Sequence, residues 1–284
     1  MNTKLPAIVD LDGRSTNPAH IAFFLPARQQ ETGEPDPSRT LVIPLKGKAY
    51  AVGLTPEEAA ARAKFPYLAE DKIAFNPAAD LRIQSTDYNG AATRLSLWEN
   101  DSLFQNLKTK PEAVAEAYFG KSADLAKLHR TIVPKNQIIV VLPFRDIEGR
   151  GFQAQAVLEN NKRIRTQEDV ATVAHTNGFH YLDEGNIAVR PGADIEVTAF
   201  DKNTAANLKS ERDFKARVAW GDRGPRNSVL VEATRDVASR VLLLGLPKSG
   251  GEPEPGAAIQ RQARAGARKR ATPQAEPVEP VPQG

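Results

Sequence analysis

The chain has 284 residues, of which 40% are hydrophobic and 6% aromatic, and its formal net charge is +3. It contains no cysteine, which excludes disulfides, thiolate metal ligands and cysteine nucleophiles. No apolar run approaches about 18 residues, and the first residues lack the apolar stretch of a signal peptide. The composition therefore predicts a soluble, cytoplasmic protein without a membrane partner.

Alternating apolar and polar residues predict two hairpins in the first half of the chain. One joins residues 40–44 to 48–52, and the other joins 81–86 to 93–98 through an Asn-Gly turn dipeptide. Such strands have one polar face, which favours antiparallel over parallel sheets. We predict an α+β fold that is strand-rich, with mainly antiparallel sheets and four short helices.

The four helices are predicted from capping residues and helical spacing. Thr55 begins a capping box with proline at the first helical position, followed by an alanine-rich turn that ends near Phe65. The other three are predicted over residues 109–119, 122–132 and 166–176, where apolar residues recur at helical spacing.

Strand signals dominate the second half. Residues 138–142 are apolar on both faces, which predicts a central strand. Residues 195–199 and 213–220 alternate as half-buried strands do, and the apolar stretch 237–246 has the length of a strand.

Composition divides the chain into regions. We predict an N-terminal α+β region over 1–133 and a strand-rich region over 134–246, with a single domain as the alternative. Residues 247–284 are rich in proline and basic residues, which predicts a disordered tail. No self-similarity at a fixed period is detected, so no repeat architecture is predicted.

An apolar strand over residues 7–11 runs into Asp-x-Asp-Gly. This segment resembles the first motif of the haloacid dehalogenase phosphatases. The resemblance implies that Asp10 is the nucleophile and Asp12 the general acid/base, with Mg²⁺ neutralising the phosphoryl oxygens. The alternative is a strand that leads into an Asp-Gly turn, because both residues suit turn dihedrals.

The same resemblance implies further roles. Ser85 or Thr86 would supply the second motif, Lys162 would bind phosphate, and the metal-binding acidic pair would be Asp183 and Glu184. It also implies a parallel sheet with helices between its strands, whereas the alternating pattern predicts antiparallel strands. The order of the strands therefore discriminates between the two interpretations.

Four potential metal ligands lie within ten residues: His175, His180, Asp183 and Glu184. Together they form a candidate divalent-metal site. The alternative places His175 at a helix end, where it complements the helix dipole, and His180 in an apolar strand. Because helix-end and core histidines are commoner than metal ligands, we predict no metal and no cofactor.

Two groups of basic residues are candidate contacts for an anionic partner. Lys162, Arg163 and Arg165 precede a predicted helix, where cations oppose the positive end of the helix dipole and so favour a nearby anion. The second group lies in the predicted tail and suits a grip on phosphates that is independent of sequence. The same tail could instead bind an acidic protein surface or only aid solubility. This second group consists of Arg261, Arg264, Arg268, Lys269 and Arg270.

No motif is specific enough to name a reaction. The predicted function is a non-enzymatic binding or assembly protein, of the kind found in virions, mobile elements or large complexes, whose tail contacts nucleic acid or an anionic partner. Exposed strand edges leave self-association open. The first alternative is a magnesium-dependent phosphatase that uses Asp10 and Asp12. The second is a β module that binds a small ligand, which predicts Trp98 or Trp220 at a pocket rim.

Overall fold

A computed structural model describes residues 5–200, 214–221 and 227–247. The described residues up to Gly245 form one compact body, and the predicted disordered tail lies outside the described residues apart from Pro247. Every pairing between described strands is antiparallel. The predicted strand-rich α+β fold with antiparallel sheets is confirmed. None of the helices in the described ranges is long and apolar enough to cross a membrane.

The described helices and strands follow one order four times: a short hairpin, a three-stranded meander and a helix. Unit 1 contains β1 (Val9–Leu11), β2 (Arg14–Thr16), β3 (Ile21–Arg28), β4 (Pro35–Pro44), β5 (Tyr50–Val52) and α1 (Pro56–Ala63). Unit 2 contains β6 (Tyr67–Leu68), β7 (Ile73–Phe75), β8 (Leu81–Ser85), β9 (Thr93–Leu97), β10 (Phe104–Leu107) and α2 (Pro111–Phe119).

The second pair of units repeats the same order. Unit 3 contains β11 (Leu125–Leu128), β12 (Thr131–Pro134), β13 (Ile138–Pro143), β14 (Ala154–Leu158), β15 (Arg163–Thr166) and α3 (Val170–Asn177). Unit 4 contains β16 (His180–Leu182), β17 (Ile187–Val189), β18 (Ile195–Ala199), β19 (Ala216–Trp220), β20 (Ser228–Val231) and α4 (Arg235–Leu244).

The chain is thus a repeat protein, which corrects the expectation of no repeat. The units begin 58, 58 and 55 residues apart, but their helices begin 55, 59 and 65 residues apart, because the connecting loops differ in length. A trace of this repeat remains in the sequence. Residues 73–80 and 187–194 are identical at five of eight positions. A proline also follows each hairpin: Pro134 closes the third, and Pro18, Pro77 and Pro191 come just after the others.

The hairpin of each following unit completes the meander of the unit before it. β3 pairs with β7, β8 with β12 and β13 with β17, which produces three five-stranded sheets with the first meander strand at the centre. We call each of these pairings a joint. The predicted central strand over 138–142 is confirmed as β13. Both predicted hairpins are also confirmed, as β4–β5 and β8–β9.

The joints share a packing rule. In each joint, two residues that lie opposite each other on the paired strands belong to one buried cluster. The same cluster contains the helix of the earlier of the two units. Burial of apolar side chains from both strands against that helix stabilises each joint. The three pairs are Phe24 with Ala74, Ile83 with Ile132, and Val141 with Ala188.

Three of the four predicted helices are confirmed as α1, α2 and α3. At the start of α1, the Thr55 hydroxyl accepts a hydrogen bond from the N–H of Glu58, and the Glu58 carboxylate accepts one from the N–H of Thr55. This is the predicted capping box. Its chemistry is local, so it can be read from the sequence.

Two predictions of element type are wrong. Residues 122–132 were expected to form a helix, but 125–128 and 131–134 form the hairpin β11–β12. The β-branched residues of β12 pair with β8, and this tertiary contact overrides the helical spacing. The apolar stretch 237–246, expected as a strand, lies mostly in α4, which begins at the Thr234 cap and ends at Gly245, where φ is 65°.

Candidate functional site

The acidic motif near the N-terminus forms a hairpin turn. Asp12 and Gly13 have φ values of 57° and 76°, as a two-residue turn of type I′ requires. The Asp10 carboxylate accepts a hydrogen bond from the Gly13 N–H at 2.7 Å, and the Asp12 carboxylate accepts one from the Gly53 N–H at 2.8 Å. Both side chains therefore stabilise the turn and its contact with the loop before α1.

The parallel sheet implied by the phosphatase resemblance is wrong. Asp10 lies in β1, which pairs antiparallel with β2 alone among the described strands. The other implied residues belong to separate units. Ser85 ends β8 and Thr86 follows it in unit 2, Lys162 precedes β15 in unit 3, and Asp183 and Glu184 follow β16 in unit 4. The arrangement gives no support to a shared magnesium centre.

The histidine cluster is not assembled as a metal site. Within the described part of the chain, no group of three or more His, Asp or Glu residues is placed to hold a metal ion. His180 Nδ1 lies 2.9 Å from the Leu242 carbonyl oxygen of α4, and His175 lies in the last turn of α3. The Tyr181 hydroxyl donates to Asp183, while burial, reinforced by that carboxylate, raises the pKa of Tyr181 to about 12. His180, Tyr181 and Asp183 therefore take part in hydrogen bonds within unit 4.

The first basic group is partly engaged within the protein. Lys162 forms an ion pair with Asp80, and its ammonium lies 5.1 Å from the centre of the Trp98 ring. Burial lowers the pKa of Lys162. Arg165 and Arg163 are both exposed, and the guanidinium carbon of Arg165 lies 4.6 Å from the centre of the Phe144 ring. The tail group, Arg261, Arg264, Arg268, Lys269 and Arg270, lies outside the described residues.

Neither tryptophan provides an open platform for a ligand. Trp220 is fully buried in the core of unit 4. Trp98 lines a cleft of about 200 Å³, but Arg82 and Lys162 both lie within 5.1 Å of its ring centre. A larger cleft of about 790 Å³ has a mostly polar lining that includes Asn136, Gln137 and Arg190. The burial of Trp220 gives no support to a module that binds a small ligand, whereas Trp98 does line a cleft, with two cations beside its ring.

Two of the described strands, at opposite ends of the repeat order, have one partner fewer than their equivalents. Among the described strands, β2 pairs only with β1, and β18 pairs only with β19. In every joint, the second hairpin strand pairs with the first meander strand of the preceding unit. The hairpin β1–β2 (residues 9–16) is therefore a donor hairpin, and β18 (residues 195–199) is an acceptor strand. Strand alternation in the sequence signals each element, but only the order of the described strands shows which edges are left without a second partner there.

No family model matches the chain, and comparisons with curated proteins and with solved structures found no similar protein.

Proposed function

We propose that this protein is a non-enzymatic assembly protein of the cytoplasm, part of a virion, mobile element or other large complex, that contacts nucleic acid through its basic C-terminal segment. The sharing of sheets between successive units is the observation that carries the proposal. Units that complete one another's sheets form a scaffold whose stability comes from neighbour contacts. Such scaffolds present broad surfaces for partners.

The local chemistry of the described residues supports a binding role. The carboxylates singled out by the phosphatase resemblance cap a turn, and His180 contacts the backbone of α4. Catalytic sites instead gather titratable groups in a cleft and shift their pKa values to suit the proton transfers of the reaction. The residues with candidate chemistry are spread over several units and engaged in structural contacts.

The nucleic-acid partner is proposed from the charge of residues 261–270. Five cations fall within these ten residues, and none of the ten is acidic. Neutralising phosphates with such a cluster releases counterions, so binding is salt-sensitive and largely independent of base sequence. An acidic protein surface is the competing partner. The first basic group, Lys162 with Arg163 and Arg165, is expected to contribute less to nucleic-acid binding, because the Lys162 ammonium is already paired with Asp80.

Replacing the five tail cations with glutamine should weaken binding to a fluorescent single-stranded oligonucleotide. Because up to five phosphates would no longer be neutralised, the slope of log affinity against log salt should fall in magnitude by about 3 to 4. Titration over a salt series measures this slope. The matched control replaces Arg163 and Arg165 with glutamine and should change the slope less. Equal affinity and equal slope for the unchanged and the five-fold substituted chains would reject the nucleic-acid partner.

A further inference from the structure

We propose that the donor hairpin of one copy of this chain pairs with the acceptor strand of a second copy. The contact would repeat between molecules the joint that already links units within the chain. It is a β-augmentation in which main-chain hydrogen bonds supply much of the affinity. The proposal goes beyond the nucleic-acid contact proposed above and involves none of residues 261–270.

The backbone of β2 is oriented so that it can form this pairing. A two-residue hairpin turn closes at a hydrogen-bonded pair, here Leu11 with Arg14. Antiparallel ladders alternate, so the next pair, Asp10 with Ser15, is a non-hydrogen-bonded pair. The N–H and C=O of Ser15 therefore point away from β1, towards the side on which a further strand would add.

Along the acceptor strand, the backbone groups alternate in the way that this pairing requires. The Phe200 N–H donates to the Lys215 carbonyl oxygen at 2.9 Å, which fixes the alternation along β18. It follows that the backbone of Thr198 faces β19 and that of Val197 faces outward. Ser15 of one copy can therefore pair with an outward-facing residue of β18 in the other copy, and of these we take Val197, the central one. This register places Arg14 opposite Thr198.

The side chains select the same register. Val197 is 8% exposed and lies in the cluster that contains α4, as Phe24, Ile83 and Val141 do with their own helices. On β2, Ser15 lies on the face opposite Arg14 and Thr16, because successive strand residues alternate. Its equivalents in two joints are alanines 74 and 188. A small serine therefore fits under α4 as those alanines fit under α1 and α3.

Exposed apolar residues lie at both ends of the proposed contact. Within the chain, each helix ends a few residues before the next hairpin begins, so a joint places a helix end beside a hairpin start. A joint between copies would bring the end of α4 beside the start of β1. Leu243 and Leu244 at the end of α4 are 44% and 67% exposed, and Ile8 just before β1 is 67% exposed. Their burial would favour association.

The two surfaces differ, so the contact is head-to-tail. Such an interface generates a closed ring if the rotation between copies closes, and an open filament if it does not. Either product consists of units that continue the internal repeat across molecules. A second copy is therefore the occupant whose strand matches the acceptor in register, side-chain size and backbone phase.

Cross-linking of two single-cysteine variants tests the register directly. The chain has no cysteine of its own, so disulfides form only at introduced positions. Arg14 and Thr198 would be a non-hydrogen-bonded pair with Cα atoms about 4.5 Å apart, within the range of a disulfide. An equimolar mixture of Arg14→Cys and Thr198→Cys chains should therefore give an oxidised dimer. Peptide mass spectrometry should show position 14 joined to position 198.

Four matched controls accompany this mixture. Ala199→Cys in place of Thr198→Cys puts the thiol on the opposite face, and the dimer should be lost. Ser15→Pro in the Arg14→Cys chain removes the outward N–H and should also abolish the dimer, with circular dichroism checking that the chain stays folded. Ser15→Ala should retain it, since alanine occupies this place in two joints. Glutamine substitution of the five tail cations should leave it unchanged.

Two results would overturn the proposal. One is a yield from Arg14→Cys with Thr198→Cys no higher than from the Ala199→Cys mixture. The other is a disulfide within one chain when Arg14→Cys and Thr198→Cys are combined, because the acceptor strand would then be filled by its own hairpin. Oligonucleotide binding is read separately, so failure here leaves the nucleic-acid proposal standing, and the reverse also holds.

Discussion

Replacing Phe24 with alanine should lower the free energy of unfolding by about 3 to 5 kcal/mol, as expected for a large aromatic side chain removed from a core. Phe24 is fully buried, its ring stacks on Phe65 with centroids 5.1 Å apart, and it faces Ala74 across the first joint. The substitution leaves a cavity between sheet and helix that the neighbours fill only in part. Urea denaturation followed by circular dichroism measures the loss.

The matched control for this prediction is Phe104→Ala. Phe104 lies in β10 and is 38% exposed, with Arg94 over its ring at 4.1 Å. The expected loss is smaller than that for Phe24→Ala, because more than a third of the Phe104 surface is already exposed to solvent. In a repeat protein each unit depends on its neighbours, so the Phe24→Ala change should first release the amides of unit 1 in hydrogen exchange. Equal losses for the two variants would contradict the packing described at the first joint.

Replacing Ala188 with proline should cost at least about 3 kcal/mol, because proline removes a ladder hydrogen bond inside a buried sheet. The Arg190 N–H donates to the Ile139 carbonyl oxygen at 3.1 Å, and the alternation then directs the N–H of Ala188 at β13. Ala188 is also fully buried. Chemical denaturation measures the loss against the unchanged chain.

The equivalent substitution in the donor hairpin should behave differently. In dilute solution, Ser15→Pro should cost less than about 1 kcal/mol, since proline is tolerated on an edge strand whose N–H faces solvent. The contrast with Ala188→Pro isolates the effect of the neighbouring strand, because the two residues hold the same place in their hairpins. A loss at position 15 as large as that at position 188 would show that the Ser15 N–H is already bonded within one chain.

The elements that could be predicted from the sequence are those specified by local chemistry. Asn89 and Gly90 both adopt positive φ in the loop between β8 and β9, as an Asn-Gly dipeptide favours. The capping box at Thr55 likewise depends on residues three apart. β13 was recognisable because it is apolar on both faces, which is typical of a strand at the centre of a sheet.

The repeat could not be predicted because its evidence is tertiary. The hairpin strands are as short as two residues, and their pairing with the preceding meander depends on residues about 50 positions apart. β11–β12 shows the consequence. Leu125, Leu128 and Ile132 have helical spacing, yet Ile132 pairs with Ile83 of the preceding unit. Only the sheet order reveals that such short segments belong together.

The candidate sites illustrate the same limit. An Asp-x-Asp-Gly segment looks alike whether it ends a catalytic strand or forms a type I′ turn, and the antiparallel partner of β1 decides between them. Ser15 and Val197 carry no chemical signature as single residues. Their importance follows from the positions of β2 and β18 in the sheets, which sequence periodicity does not give.

Hydrogen exchange at increasing protein concentration tests most directly whether these sheets continue from one copy to the next. Residues 14–16 of β2 and 195–199 of β18 should exchange more slowly as the concentration rises, while β13, already paired on both sides, should not change. Exchange rates in β2 and β18 that stay constant at every concentration, or protection that grows only elsewhere in the chain, would contradict the account.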